Sequence, residues 1–317
     1  GNIGIPLISL AGETTDDSVT VIELSSYQLE TIESFRPDAA AVLNLTPDHL
    51  DRYDSLDDYF AAKMRIAMNQ TAEDFFVFNA DDLRVTGGAC ATRAKRRGFS
   101  LHKKSDAFYE SGSVYVRCGK AHVKAFEARE MSIIGLHNVQ NAMTVLLLVQ
   151  GLYAKKGLEF PVAKAAAACC SFKGLAHRME KLGSYKGRLF INDSKATTVG
   201  AVEMALKSLD RPSVLILGGR AKGDDYSRLI PSFSEKVRAL VLIGETKDEF
   251  SEVFKAFTQV KAADLDEACA KAMELSREGD AVILSPATAS FDMFKSFEHR
   301  GDSFRDSFAR LSAGQAG

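Results

Sequence analysis

The stretch Asn44–Arg52, "NLTPDHLDR", sets His49 between Asp48 and Asp51, and a helical pattern beyond it carries Lys63. Imidazole and carboxylates so close together suit a metal ion, while the Thr-Pro-Asp run equally suits a turn that caps a helix. A protonated lysine would be repelled by a bound cation, so Lys63 is the unexpected member of the group. Further polar clusters close other apolar runs. Glu23 ends "VTVIEL" and is either a hard oxygen donor for Mg²⁺ or a first-turn carboxylate at a helix N-terminus. Asp193, Lys195 and Thr197 follow "RLFI", where Asp193 could also serve as an Asx turn or a helix cap. "GGRAKGDD" follows "PSVLIL" and presents Arg220 and Lys222 as donors for carboxylate or phosphate, and "SPATASFDMF" follows "AVIL". Asn138 and Asn141, at i and i+3, share one helix face and suit either a ligand or a cap.

For these clusters to act together, the runs before them must be strands ending on one edge of a sheet. The sequence predicts this. "SVTVIEL", "AAAVLNL", "DFFVFNA", "RLFIND", "PSVLILGG", "VRALVLIG" and "DAVILSP" are strand candidates, long and apolar enough to be buried on both faces. Helical patterns such as "SLDDYFAAKMRIAMNQ" and "VGAVEMALKSL" alternate with them, which predicts an α/β fold with a parallel sheet. Ligands bind at the carboxyl ends of strands in such sheets. Residues 99–134 differ: "SVYVRCGKAHVKAF" reads as two short strands around a Cys-Gly-Lys turn, a small antiparallel insertion. "NAMTVLLLVQGLYAKKG" predicts a long apolar helix capped by Gly157. Gly174 interrupts the alanine-rich segment before "AHRME", and the expected domains are 1–173 and 174–317.

Lys+Arg 40 against Asp+Glu 42 leaves a net charge of -2, so no global attraction to nucleic acid is expected. The basic run "RAKRRG" (Arg93–Gly98) reads as a solvated loop or helix end. The five cysteines, Cys90, Cys118, Cys169, Cys170 and Cys269, form no C-x-x-C pair and predict reduced thiols in a cytoplasmic protein. No apolar run approaches the roughly 18 residues of a membrane span.

In order along the chain, "ELSSYQLE", "NLTPDHLDRY", "YFAAKMRI", "GLHNVQNA", "AHRME", "NDSKATT", "LGGRAKG" and "LSPATASFDMFKSFEHRG" resemble the Mur ligases of peptidoglycan synthesis, in their D-glutamate-adding form. The likeness covers almost the whole chain. It implies part of a P-loop-type central ATPase domain followed by a Rossmann-like C-terminal domain that binds the amino acid. It implies ATP and two Mg²⁺ ions, with UDP-N-acetylmuramoyl-L-alanine and D-glutamate as substrates joined through an acyl phosphate by a monomer. On matching positions, Glu23 would hold the Mg²⁺ that bridges the ATP phosphates and His49 a second Mg²⁺. Lys63 would be carbamylated, which answers the charge problem: neutral lysine adds CO₂ and becomes an anionic oxygen donor. Asn138 and Asn141 would lie near the adenine and phosphates, with Arg178 and Asp193 at phosphate and ribose. Lys195, Thr197, Lys222, Ser290 and Phe297 would bind D-glutamate or shape its pocket, and Asn2 and Ser25 would meet the UDP-muramoyl substrate.

The sequence departs from the family in having no G-x-x-x-x-G-K-[ST] loop, and Ala221 in "GGRAKG" stands where relatives are often acidic. The resemblance places that loop and a uridine-binding domain upstream of Gly1, so the chain is expected to be a piece that is inactive alone. Two alternatives stand beside this reading: a folylpolyglutamate-synthase-like ligase of the same architecture, and a non-catalytic ligand-binding or scaffold protein.

Overall fold

The computed structural model describes residues 5–45 and 52–314. The chain divides into two compact units, Gly1–Glu130 with Val139–Cys169, and Met131–Asn138 with Cys170–Gly317.

The first unit contains α1 (Ser26–Glu30), β1 (Ala39–Val42), α2 (Leu56–Met64), β2 (Phe75–Asn79), α3 (Leu83–Ala91), β3 (Lys95–Ser100), β4 (Ala107–Glu110), β5 (Ser113–Cys118) and β6 (Ala121–Glu127), with α4 (Leu136–Lys155) and α5 (Val162–Ser171) following. The first turn of α4 counts with the second unit. The strands form a sheet in the order β1-β2-β3-β4-β5-β6, parallel as far as β4. The predicted hairpin is β5 and β6, and it extends this sheet antiparallel. Apolar positions along α4, among them Val139, Met143, Leu146 and Leu147, are buried. Gly157 ends that helix as predicted, at φ +68°, with its N–H on the Ala154 carbonyl and the Leu158 N–H on the Tyr153 carbonyl. Those two bonds satisfy carbonyls that the helix itself leaves open. Where these elements begin, Asp74 is fully buried and accepts from Arg36 and from Lys155. Those two cations hold its carboxyl well below the usual range despite burial.

Two expectations are corrected here. "SVTVIEL" forms no strand: Val19 is 59% and Val21 93% exposed. Strand propensity needs a paired neighbour to be realised, and among the described residues β1 pairs only with β2. "RAKRRG" lies largely in β3 rather than in a loop or helix end. There the Lys95 Nζ and the Arg97 guanidinium carbon lie 5.4 and 5.9 Å from the centroid of the Phe75 ring, cations set against an aromatic face.

The second unit contains β7 (Glu180–Tyr185), β8 (Arg188–Asn192), α6 (Val199–Ser208), β9 (Ser213–Gly218), α7 (Ile230–Lys236), β10 (Val237–Ile243), α8 (Lys247–Val253), β11 (Gln259–Lys261), α9 (Leu265–Leu275), β12 (Ala281–Leu284) and α10 (Phe297–Ser312). Its sheet runs β11-β10-β9-β12-β8-β7, parallel except for β7. The apolar runs serve both faces. On β9, Leu215 and Leu217 join a core with Val202, Leu206, Phe233 and Phe250, whereas Val214 and Ile216 face Ala268, Ala272 and Phe304. Each fully buried side chain of this size contributes about 1.5–3 kcal/mol. Because β12, the last strand in sequence, inserts between β8 and β9, the loops leaving β8, β9 and β12 emerge side by side at the carboxyl edge.

Candidate functional site

These three loops carry most of the second unit's predicted residues. After β8, Asp193 is anchored: its Oδ2 accepts from Ser285 Oγ at 2.8 Å and its Oδ1 from the Met179 N–H at 3.0 Å. It does not cap α6, a role taken by Thr198, whose hydroxyl accepts from the Ala201 N–H. Burial pushes the Asp193 carboxyl up to about 6, against the lowering effect of Ser285, Met179 and Arg178. Lys195 is exposed, and its Nζ lies 5.5 Å from the centroid of the Phe297 ring. Thr197 is half-buried and accepts from Lys222 Nζ, on the loop after β9, at 3.4 Å. Ser290, on the loop after β12, is buried. Phe297 opens α10, half-buried, with its ring edge-on to His177. Arg220 is taken by Glu245 in a two-point ion pair, which leaves Lys222 as the cation that the "GGRAKG" loop offers to this cluster.

The loop after β9 depends on Gly219, at φ +146°. A Cβ there would run into the Ala289 carbonyl and sit 2.6 Å from Thr288 Oγ1, so only glycine lets the loops after β9 and β12 pack this closely.

Beside Asp193 opens a cavity of about 270 Å³ within the second unit. Met179, Ala201, Met204 and Ala205 line it with apolar surface, and Arg178, Asp193 and Lys195 supply polar groups. His137 and Ser208 also line it and are joined through His137 Nδ1 and Ser208 Oγ at 3.2 Å. Ser208 donates its own proton to the Met204 carbonyl, so it accepts from His137 and the Nδ1–H tautomer follows. Burial and the Arg178 charge lower the His137 pKa, so the ring is neutral and its other nitrogen is an acceptor. The volume and the apolar lining with a few fixed polar groups suit a planar base with its sugar. None of the α6 residues was anticipated from sequence, although Ala201, Met204, Ala205 and Ser208 form an i, i+3, i+4, i+7 stripe, and Met204 is an exposed methionine.

In the first unit, Ser25 is the N-cap of α1 in a reciprocal capping box with Gln28. Glu23 is exposed in the segment before it, which forms no strand. Lys63 is half-buried on α2, its Nζ 4.7 Å from the centroid of the Tyr59 ring, a contact suited to an ammonium group. Asn138 and Asn141 lie on α4, and Asn138 Nδ2 donates to the Ile134 carbonyl. His49 and Asn2 lie outside the described residues. Among the described residues no group of three or more His, Cys, Asp or Glu side chains is placed to hold a metal, and the expected donors include His49, which lies outside them, and Lys63.

Comparison with known proteins supplies a family. Residues 1–149 match the Mur ligase middle domain and residues 177–288 the Mur ligase glutamate ligase domain. A UDP-N-acetylmuramoylalanine–D-glutamate ligase of Geotalea daltonii is 40% identical over 99% of this chain and 68% of its own length. Its namesake in Myxococcus xanthus is 42% identical over 96% of this chain and 67% of its own. The chain thus spans about two thirds of the length of these relatives. Among solved structures, a MurF of Acinetobacter baumannii has a TM-score of 0.61 at 17% identity, covering 91% of this chain and 62% of that one. The MurF ligase of Thermotoga maritima in complex with ADP has a TM-score of 0.57 at 16% identity, covering 87% and 63%. These structures agree in fold, and with two family domains matched in this chain and relatives 40% identical over almost all of it, the chain belongs to the Mur ligase family.

Proposed function

We propose that this chain carries nucleotide and amino-acid sites of an ATP-dependent ligase that adds D-glutamate to UDP-N-acetylmuramoyl-L-alanine in peptidoglycan precursor synthesis, acting as a cytoplasmic monomer. The observation that carries the reading is the convergence of Asp193, Lys195, Thr197, Lys222, Ser290 and Phe297 on the loops after three adjacent strands and the start of α10, next to a cavity fit for a nucleoside. In this reading the base occupies the apolar part of the cavity, where His137 offers an acceptor nitrogen. Asp193 accepts from the ribose hydroxyls and Arg178 meets the phosphates, while Lys195 belongs with the residues around D-glutamate. The alanyl carboxylate takes the γ-phosphoryl group, ADP leaves, and the D-glutamate amine attacks the acyl carbon to expel phosphate. Lys222, Thr197 and Ser290 hold the D-glutamate carboxylates, with Phe297 as a wall. Polar pairs of this kind reject amino acids that lack the second carboxylate. Most of the rate would come from positioning.

Two Mg²⁺ ions, when bound, would supply positive charge to the phosphates; Glu23 would hold one, and His49 with Lys63 as its carbamate the other. That assignment, like the roles of Asn2, Ser25, Asn138 and Asn141, rests on the family resemblance. The test is phosphate release from ATP. It should require both UDP-N-acetylmuramoyl-L-alanine and D-glutamate in the complete protein. Equal turnover with L-glutamate or with a folyl substrate would exclude the reading.

A further inference from the structure

Arg300 heads the fully buried side chains by size, at 0% exposure. A buried cation ordinarily sits against a carboxylate. Among the described residues Arg300 has no such partner. Its Nε donates to Ser194 Oγ at 3.0 Å, and NH2 donates to the carbonyls of Ser194 and Thr288 at 2.9 and 3.2 Å. NH1 donates to the Ala289 carbonyl at 3.2 Å. Burial lowers its pKa to about 10, which leaves it charged at neutral pH, and Asp292 acts on it only through space.

One guanidinium therefore ties together the loop that carries Lys195 and Thr197 and the loop that carries Ser290. Ser194 extends the tie by donating to the Phe297 carbonyl at 2.8 Å. The third loop packs on the same group, since a Cβ at Gly219 would lie 3.2 Å from Arg300 NH1. The peptide bonds are trans, so turning the Ala289 carbonyl toward Arg300 turns the Ser290 N–H away from it. No described hydrogen bond uses that N–H. A clamp alone needs only neutral donors, and a buried charge costs desolvation that carbonyl dipoles offset in part. What a fixed positive charge adds, one residue from Ser290, is a preference for negative ligands.

We infer that Arg300 is a positioning residue for the amino-acid substrate, and that its charge, unmatched by any described carboxylate contact, favours a ligand with two carboxylates over one with a single carboxylate. This rests on the D-glutamate reading above. The test is calorimetric titration of the full chain with D-glutamate, D-glutamine and ATP, for the parent, Arg300→Met and Arg300→Lys. The parent is expected to prefer D-glutamate to D-glutamine. Arg300→Met should reduce that preference at least tenfold while ATP affinity stays within about threefold. Arg300→Lys, which keeps charge and loses the planar fork, should weaken both amino acids and keep the preference. If the Met variant does not fold, the Lys variant decides: unchanged affinity or a lost preference overturns the inference. Parent binding with an unaltered preference in a folded Arg300→Met overturns it alone, whereas a parent that binds no D-glutamate removes the reading and the inference together.

Discussion

Asp193→Asn separates the cost of burying a charge from the use made of it. The carboxyl stands at about 6 in the folded chain against an ordinary 3.8. Between those values the folded chain binds more protons than the unfolded one, so stability falls as pH rises through the window. Below it the penalty is absent, and above pH 6 it is complete. At about 1.4 kcal/mol per pH unit the full penalty is about 3 kcal/mol. Asparagine fits the same anchors, accepting from the Met179 N–H and facing Ser285 Oγ with its amide, at a cost of about 1 kcal/mol for imperfect pairing. The variant should therefore be more stable by about 1–3 kcal/mol at pH 7.5, with the advantage vanishing as pH falls toward 4 and reversing by up to about 1 kcal/mol below it. Native-state hydrogen exchange at Ile283 and Leu284, in the strand that pairs with β8, reads this as protection rising by up to about 100-fold in the variant at pH 7.5. ATP affinity should fall at least tenfold in the same protein, because a charged acceptor for the ribose is lost. A stability difference that does not vary with pH would refute the burial argument, and unchanged ATP affinity would refute the placement of the nucleotide.

Further outcomes follow from the same geometry. Gly219→Ala should cost at least about 2 kcal/mol in stability and abolish D-glutamate binding, since the new methyl meets the Ala289 carbonyl at a φ that alanine resists; calorimetry and thermal unfolding check both. Asp74→Asn leaves Arg36 and Lys155 facing a neutral group and should destabilise the chain by about 1.5–3 kcal/mol, less than for a pair buried on both sides because both cations keep contact with water. Because the parent carboxyl is held below its ordinary value, its contribution is present above the unfolded carboxyl's pKa and lost as pH falls. Acid unfolding should then be steeper in the parent than in the variant. Lys63→Ala in the complete protein should lose activity that added short carboxylic acids partly restore, as kinetics with and without acetate would reveal.

The second unit's strands were legible because β9, β10 and β12 are continuous apolar runs whose alternate residues fill both cores, a pattern that needs no knowledge of partners. "SVTVIEL" is likewise rich in β-branched residues and forms no strand, since pairing is decided by what lies alongside and not by the run itself. β3 is hidden for the opposite reason: its charges dominate the sequence, while the Phe75 ring that receives two of those cations lies on another strand. At the site, the polar residues at strand ends were readable because each closes an apolar run. Nothing in "FEHRG" says that its arginine, Arg300, is buried; that follows from three loops closing over it. The α6 side of the cavity was written as a helical stripe among residues that looked like ordinary core.

The central claim, that the loops after β8, β9 and β12 form a D-glutamate site, is tested most directly by titrating the chain with D-glutamate, L-glutamate and D-glutamine, each with and without ATP. The account predicts that D-glutamate binds at least tenfold tighter than either comparator and that Lys222→Ala removes the difference. Equal binding of all three, or no binding of D-glutamate even with ATP present, would contradict it.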